Sequence, residues 1–299
     1  MTAAPAVFTA YAALAASMVL VGSYVGLSKL LVVVFPVFLL AWLRFGIAAV
    51  AMLHWLPRAA HEPALSRRDR RLLFWESFLG NFGFSICMLF GVAATSALAA
   101  GVVMAALPAT VALLSWAGLG ERIGRRMMGA IGCAAAGIAL LAVARHDEAS
   151  VGGGPWWGYA LLVGAVVCEA SYVVIGKQLT AQVSPRRISA LINLWGLALV
   201  TPFGLWQAAT FPFGGVTAGE WALLVFYALA ASVVSVWLWM RGLQRVPAAQ
   251  AGVFAVLLPI SAAAVGVLGL GETLASAHVI AFWLAMTGLL LAVWPSRPR

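Results

Sequence analysis

Three side chains with the chemistry to bind a small molecule or a proton stand inside long apolar stretches of the chain. Glu169 is the acidic residue deepest in such a stretch, Arg44 is a lone guanidinium, and Asn81 is one of only two asparagines. A polar or ionised group in an apolar, membrane-like setting is expensive to bury, so each of the three is a candidate for a function.

The two charged candidates each allow two interpretations. Glu169 either couples protons or receives a substrate amine, or it is paired with a neighbouring helix or faces water without coupling. The lack of a visible partner for this acid favours the second. Arg44 either holds a substrate carboxylate, which its planar fork suits, or ties helices together through backbone carbonyls or Glu169.

The residues around Asn81 predict an aromatic wall with a polar spot. At helical spacing Phe78, Phe82 and Ser85 share a face with Asn81 near its edge. An amide donates and accepts hydrogen bonds, so it can recognise a zwitterion without a buried charge. Such a wall suits an amphipathic small molecule, although each aromatic taken singly is more often a packing or lipid-facing residue.

The remaining candidates for the same site are aromatic or polar residues near the ends of apolar runs. Tyr24 and Tyr172 occupy equivalent positions of an internal repeat, and they either line a pathway or anchor the chain at the membrane surface. Trp237 is predicted to face the cavity, whereas Trp239 is predicted to belong to the interfacial aromatic belt. Gln250 is the last polar candidate.

The composition assigns the chain to the membrane. It is 64% hydrophobic and 9% charged, with a mean hydropathy of +1.02, whereas soluble domains carry about 25% charged residues. Its three cysteines lie in apolar runs without a C-x-x-C pair, so neither a disulfide framework nor a metal site is predicted, and no cofactor is expected. The net charge of +9 follows membrane topology, so nucleic acid is not an expected partner.

An internal duplication organises these residues. The stretch 96–121 returns as 247–272 at a constant offset of 151, with Pro108 matching Pro259 and the same Gly-Leu-Gly-Glu ending. A proline inside a helix frees a backbone carbonyl, so the two prolines are predicted hinges, with a static kink as the alternative. We expect Glu272, at the end of the second copy, to cap the helix that follows it or to orient its loop.

The apolar runs predict an all-α membrane protein of ten transmembrane helices. Their expected bounds are 9–29, 36–56, 72–93, 97–118, 127–145, 156–176, 188–207, 221–240, 248–269 and 278–294. With the N-terminus in the cytoplasm, 15 of the 18 lysines and arginines fall on the cytoplasmic side, as the positive-inside rule requires. Because five is an odd number, residues 151–299 form a second five-helix repeat that is inverted relative to residues 1–150, and both termini are cytoplasmic. Inverted repeats with interrupted helices are typical of transporters.

The sequence resembles the drug/metabolite transporter superfamily, in particular the EamA-type ten-helix exporters, over nearly its whole length. The resemblance rests on Leu43-Arg44-Phe45, on the proline-containing fourth and ninth helices, and on the Gly-Glu signature at 120–123 and again at 271–274. It implies export of small metabolites, often amino acids, across a bacterial inner membrane. Arg44 belongs to a structural pattern in that family, which favours its structural interpretation.

The sequence therefore predicts a secondary transporter that exports neutral or aromatic amino acids by alternating access. A multidrug or lipophilic-cation exporter is the alternative within this class, and a non-transporting scaffold or an intramembrane enzyme is the alternative outside it. The expected partners are a small-molecule substrate and the lipid bilayer, with a homodimer left open. The sequence contains no nucleotide-binding or hydrolase motif, so no catalytic residue is predicted.

Overall fold

The computed structural model of the chain describes residues 3–58, 62–119, 125–144, 155–180, 183–245, 254, 257–272 and 276–293. Every regular element in these ranges is a helix, as the apolar runs predict. The α-helices are α1 (Ala3–Val34), α2 (Val37–Ala51), α3 (Arg67–Glu76), α4 (Phe84–Ala94), α5 (Ala97–Met104), α6 (Leu107–Leu119), α7 (Arg125–Ala144), α8 (Trp156–Leu179), α9 (Pro185–Ala208), α10 (Ala218–Leu229), α11 (Ser235–Leu243), α12 (Leu257–Ala264) and α13 (Ser276–Val293).

The outer surface of the helical bundle is apolar. Leu268 is 85% exposed, Val33 81% and Val50 72%, which suits contact with lipid chains rather than water. Among the described residues, five helical stretches are long and apolar enough to cross a bilayer, namely Phe8–Val34, Arg67–Ala94, Trp156–Gly176, Pro185–Ala208 and Ala218–Leu243. The chain is therefore a multi-pass membrane protein.

The end of α2 and the start of α3 differ from the predicted bounds for local reasons. Helix α2 ends at Ala51 and is followed by a 3₁₀ turn, Leu53–Trp55, shortly before Pro57, which has no N–H to continue a helix. Helix α3 begins ahead of the predicted start at 72, because Ser66 and Asp69 form a capping box at its N-terminus.

The first of the two repeat-related prolines lies at a helix start. Helix α5 ends at Met104 and α6 begins at Leu107, so Pro108 occupies the first turn of α6, where a missing N–H costs little. Pro259 lies in α12, and the two residues before Leu257 are outside the described part of the chain. The bend in the first half therefore falls between α5 and α6, just ahead of the proline.

Two long helices contain π-helical stretches at overlapping repeat positions. The stretch Ser77–Gly83 joins α3 to α4, and the stretch Ala230–Val234 joins α10 to α11. A further π-helical stretch, Val265–Gly269, follows α12. Such stretches shift the phase of the side chains around a helix and are frequent at functional sites.

Helix contacts recur with the two halves exchanged. Helix α1 packs on α11 and α12, while its repeat equivalent α8 packs on α4 and on α5 and α6. Helix α2 packs against its equivalent α9, and α7 packs against its equivalent α13. This exchange is what two similar units related by a pseudo-two-fold axis would give.

Two glycines at equivalent repeat positions allow close contacts between the halves. A Cβ atom on Gly91 would lie 2.7 Å from the Leu162 side chain, and one on Gly242 would lie 2.5 Å from the Leu14 side chain. The two contacts are repeat equivalents, and each brings a helix of one half directly against a helix of the other. A larger residue at either glycine would push the halves apart.

Glu272 closes the N-terminus of α5. Its carboxylate accepts hydrogen bonds from the backbone N–H groups of Ala97 and Leu98, both at 2.9 Å. Gly271 adopts a φ of 66° just before it, a conformation that glycine adopts without strain. The expectation that Glu272 caps the following helix is wrong, because the fold brings it to a helix of the other half.

The loop before α3 is tied to the start of α9 by Glu62. One carboxylate oxygen accepts the Ser184 N–H at 2.8 Å, and the other pairs with the Arg187 guanidinium at 3.0 Å. Partial burial pushes the pKa of Glu62 upward, but the hydrogen bonds from Ser184 and Arg187 outweigh it and hold this pKa below the ordinary value.

We predict that Glu272→Ala destabilises the fold by about 3 kcal/mol, the order expected for two hydrogen bonds to a charged acceptor. Glu272→Gln should recover part of the loss because an amide oxygen still accepts. The matched control is Glu220→Ala, which removes a carboxylate that caps only its own helix, α10, and should cost about 1 kcal/mol. Thermal unfolding of the purified variants measures both, and equal losses would contradict the proposed link between halves.

The Glu62 contribution to stability should depend on pH. A carboxyl group whose pKa is lowered by folding stabilises the fold fully above its ordinary pKa of 4.5, and this stabilisation is lost as pH falls through the folded value. The unfolding temperature of the wild type should therefore exceed that of Glu62→Gln at neutral pH, and the difference should shrink in acid. A difference that does not change with pH would contradict this assignment.

Candidate functional site

A cavity lies between the two halves at the centre of the bundle. The cavity is small, with room for little more than water molecules. The lining residues come from α1, α2, α4, α8 and α11 and from both π-helical stretches Ser77–Gly83 and Ala230–Val234: Ser17, Met18, Val21, Tyr24, Arg44, Gly80, Asn81, Phe84, Glu169, Tyr172, Ala231, Ser235, Val236 and Trp239. The cavity is therefore narrow, partly polar and shared by both halves.

Arg44 supplies the positive charge of the cavity. Its side chain is 4% exposed, and its guanidinium donates a short hydrogen bond to the Ser85 hydroxyl. The Phe45 ring lies 4.3 Å from the guanidinium carbon, which favours a cation. Within the described ranges Arg44 pairs with no carboxylate, so part of its hydrogen-bonding capacity is unused.

Glu169 supplies the negative charge from α8. The side chain is half-buried, and in the described part of the chain it takes part in no ion pair. Arg44 and Glu169 thus line one cavity without pairing with each other. The expected tie between Arg44 and Glu169 is absent here, and Ser85 takes the place of the acid.

The repeat-related tyrosines flank the cavity symmetrically. Tyr24 and Tyr172 are both 7% exposed and both line it, which places them inside the bundle rather than at the membrane surface. Tyr24 packs edge-on against Tyr227, with 5.6 Å between ring centroids. Tyr172 lies against Gly80, where a Cβ atom would come within 2.5 Å of its ring.

Asn81 reaches the cavity from the π-helical stretch Ser77–Gly83. Its backbone carbonyl accepts the Ser85 hydroxyl, so Asn81 and Arg44 are connected through one serine. The structure shows no hydrogen bond to the Asn81 amide from any described residue, which leaves its donors and acceptor for an occupant of the cavity.

The aromatic wall predicted beside Asn81 lies elsewhere. Phe78 stacks between Phe74 and Phe82, with ring centroids 6.0 and 5.8 Å apart. The row continues to Phe203 on α9, and none of these rings lines the cavity. Ser85 also lies off the cavity wall but holds Arg44.

The structure places the two candidate tryptophans of α11 differently from the prediction. Trp239 is 8% exposed and lines the cavity. Trp237 instead stacks with the Arg241 guanidinium at 5.2 Å, in a separate basic pocket at the end of α11. Gln250 lies outside the described residues, and Pro108 and Pro259 lie off the cavity wall.

Sequence reasoning missed several polar residues of this region. The Ser17 hydroxyl of α1 donates a hydrogen bond to the Ser235 carbonyl of α11 at 2.8 Å. No local sequence pattern predicts this contact between the halves. Glu76 of α3 is completely buried, but it follows an arginine-rich stretch and reads as a residue of the membrane edge. Its position inside the predicted span 72–93 was the available signal, since an acidic residue within a membrane span is a candidate for a function. No metal-binding group of three His, Cys, Asp or Glu side chains forms within the described ranges.

A multi-pass helical bundle whose two similar halves enclose a polar cavity defines the class of membrane transport proteins. The model of the EamA-like transporter family matches residues 8–143 and again residues 156–294. The chain belongs to this family, and the two matched segments agree with the duplication in the sequence.

Relatives of known name agree with this class. The chain is 34% identical over 287 residues to the uncharacterized transporter YetK of Bacillus subtilis, covering 95% of this chain and 86% of YetK. It is 23% identical over 257 residues to the uncharacterized transporter YyaM of the same organism, covering 84% and 82%. A solved crystal structure with 18% identity superposes with a TM-score of 0.62, covering 96% of this chain and 95% of its own, which shows the fold alone.

Proposed function

We propose that this transporter exports neutral or aromatic amino acids by alternating access. The family supports transport, and one observation carries the substrate class. Arg44 and Glu169, of opposite charge and on different halves, line the same cavity without pairing. An amino acid carries the two complementary charges on one small molecule.

Different residues of the cavity wall suit different parts of an amino acid. The Arg44 guanidinium suits the carboxylate, and the Glu169 carboxylate suits the ammonium group. Phe84 and Trp239 provide apolar surface for the substrate side chain. The free Asn81 amide can accept from or donate to the polar end of the substrate.

The architecture we propose has ten transmembrane helices in two inverted halves, residues 1–150 and 151–299, with both termini in the cytoplasm of a bacterium. The exchanged helix contacts support the inverted halves. The helices too short to span alone are explained by breaks, such as the one between α5 and α6. The distribution of arginine and lysine supports the orientation in the inner membrane.

The narrowness of the cavity fits alternating access. A space of this size admits little more than water, so a bulkier occupant requires the halves to separate on one side. The contacts at Gly91 and Gly242 hold the halves close in the present arrangement. Their rocking about a central site is the motion that inverted-repeat transporters use.

We test the proposal by efflux from cells preloaded with a mixture of dipeptides, with individual amino acids measured outside the cells. Cells that produce the protein should release phenylalanine, tyrosine, tryptophan or other neutral amino acids faster than cells without it. Asn81→Ala should lower this rate three- to tenfold, about the effect of one lost hydrogen bond, at unchanged membrane abundance.

Val225→Ala, a change on the exposed surface of α10, is the matched control and should leave efflux unchanged. Phe78→Ala tests the aromatic row, which lies off the cavity and should matter less than Asn81. Absence of any amino-acid release, with the protein present in the membrane, would contradict the substrate class and favour the multidrug or lipophilic-cation exporter.

A further inference from the structure

Glu76 is a buried carboxyl group that does not line the cavity. Its side chain is completely buried, and neither carboxyl oxygen has a hydrogen-bond partner among the described residues. A Cβ atom built on Gly176 of α8 would lie 2.7 Å from one of these oxygens and 3.3 Å from the Met240 methyl group. The carboxyl group therefore rests directly on the bare backbone of α8.

Burial of this kind determines the protonation state of the group. An ionised carboxylate in an apolar site without hydrogen bonds costs several kcal/mol, and such a group takes up a proton instead. In the present arrangement Glu76 is therefore a neutral acid. It becomes an anion only when the contact between α3 and α8 opens to water.

The groups around Glu76 form a path toward the cavity. The buried Tyr172 hydroxyl has no partner in the described part of the chain, and the Tyr172 ring lies against Gly80, four residues after Glu76. On α8, Glu169, Tyr172 and Gly176 follow one helix face. Tyr172 thus stands between the carboxyl of Glu76 and the carboxyl that lines the cavity.

No described positive charge neutralises Glu76. The helices packed against it carry these other charged or titratable groups: Cys168 on α8, Arg186 and Arg187 on α9, and Arg241 on α11. Arg187 pairs with Glu62, and Arg241 stacks on Trp237. Arg186 lines the separate basic pocket with Arg241, and the Lys177 side chain lies outside the described part.

We propose that Glu76 is a proton-binding site that couples export to proton entry, an inference that rests on the proposed function. Water that reaches the cavity from outside delivers a proton to Glu76 by way of Tyr172. When α3 and α8 part at the end marked by the Arg68–Gln178 hydrogen bond, the O–H bond breaks and the proton passes to water there. The π-helical stretch that begins at Ser77 provides a segment whose rearrangement can move Glu76.

The first experiment measures the protonation state of Glu76 in the absence of substrate. Infrared spectra of the purified protein in lipid nanodiscs at neutral pH should contain the band of a protonated carboxyl group that disappears in Glu76→Gln. The band should remain in Glu220→Gln, a control at an exposed carboxylate in the first turn of α10. An identical spectrum for the wild type and Glu76→Gln would show that Glu76 is ionised, which would overturn the proposal.

The second experiment separates coupling from transport, with phenylalanine as the probe in proteoliposomes. Glu76→Gln, which mimics the protonated acid, should lose phenylalanine transport driven by a proton gradient and retain exchange of phenylalanine across the membrane. Gradient-driven transport at the wild-type level in Glu76→Gln would overturn the proposal, and so would the loss of exchange together with gradient-driven transport. Absence of phenylalanine movement by the wild type would contradict the proposed function alone, since the infrared result does not depend on it.

Discussion

At two equivalent positions a glycine of one half receives a leucine side chain of the other half, and the rest of the structure depends on this close approach. In lipid no hydrophobic effect drives helices together, so small residues that let helices approach closely and gain van der Waals contact take its place. Gly91 against Leu162 and Gly242 against Leu14 meet this requirement at equivalent positions. These contacts hold α8 and α1 against the opposite half and shield from lipid the polar side chains between them.

The close approach also explains how the polar groups of the interior are tolerated. The Ser17 hydroxyl and the Asn193 amide donate to backbone carbonyls of the Ser235 and Phe45 residues across helix interfaces, so they act as ties. Arg44 and Glu169 are different, because each keeps unpaired capacity beside a cavity. A bundle that satisfies its structural polar groups and leaves two opposite charges open is suited to bind a zwitterion.

The sequence predicted much of this arrangement, and its errors have physical causes. Arg44, Asn81 and Glu169 could be found because a polar residue in an apolar run is conspicuous, and the structure brings all three to one cavity. The face assigned to Phe78 was wrong because the spacing assumed an α-helix, whereas the π-helical stretch Ser77–Gly83 changes the phase of the side chains. Contacts between halves, such as the cap that Glu272 places on α5, depend on tertiary structure that no local pattern contains.

The central claim is that the cavity opens alternately to the two sides of the membrane. The most direct test introduces Ala231→Cys, a small change on the cavity wall, into a variant without the three native cysteines, and labels it with a membrane-impermeant thiol reagent. Our account predicts labelling from either side and protection by phenylalanine, with no labelling of Val167→Cys, an exposed position in the middle of the apolar span of α8. Labelling from one side only, or from neither, would contradict it.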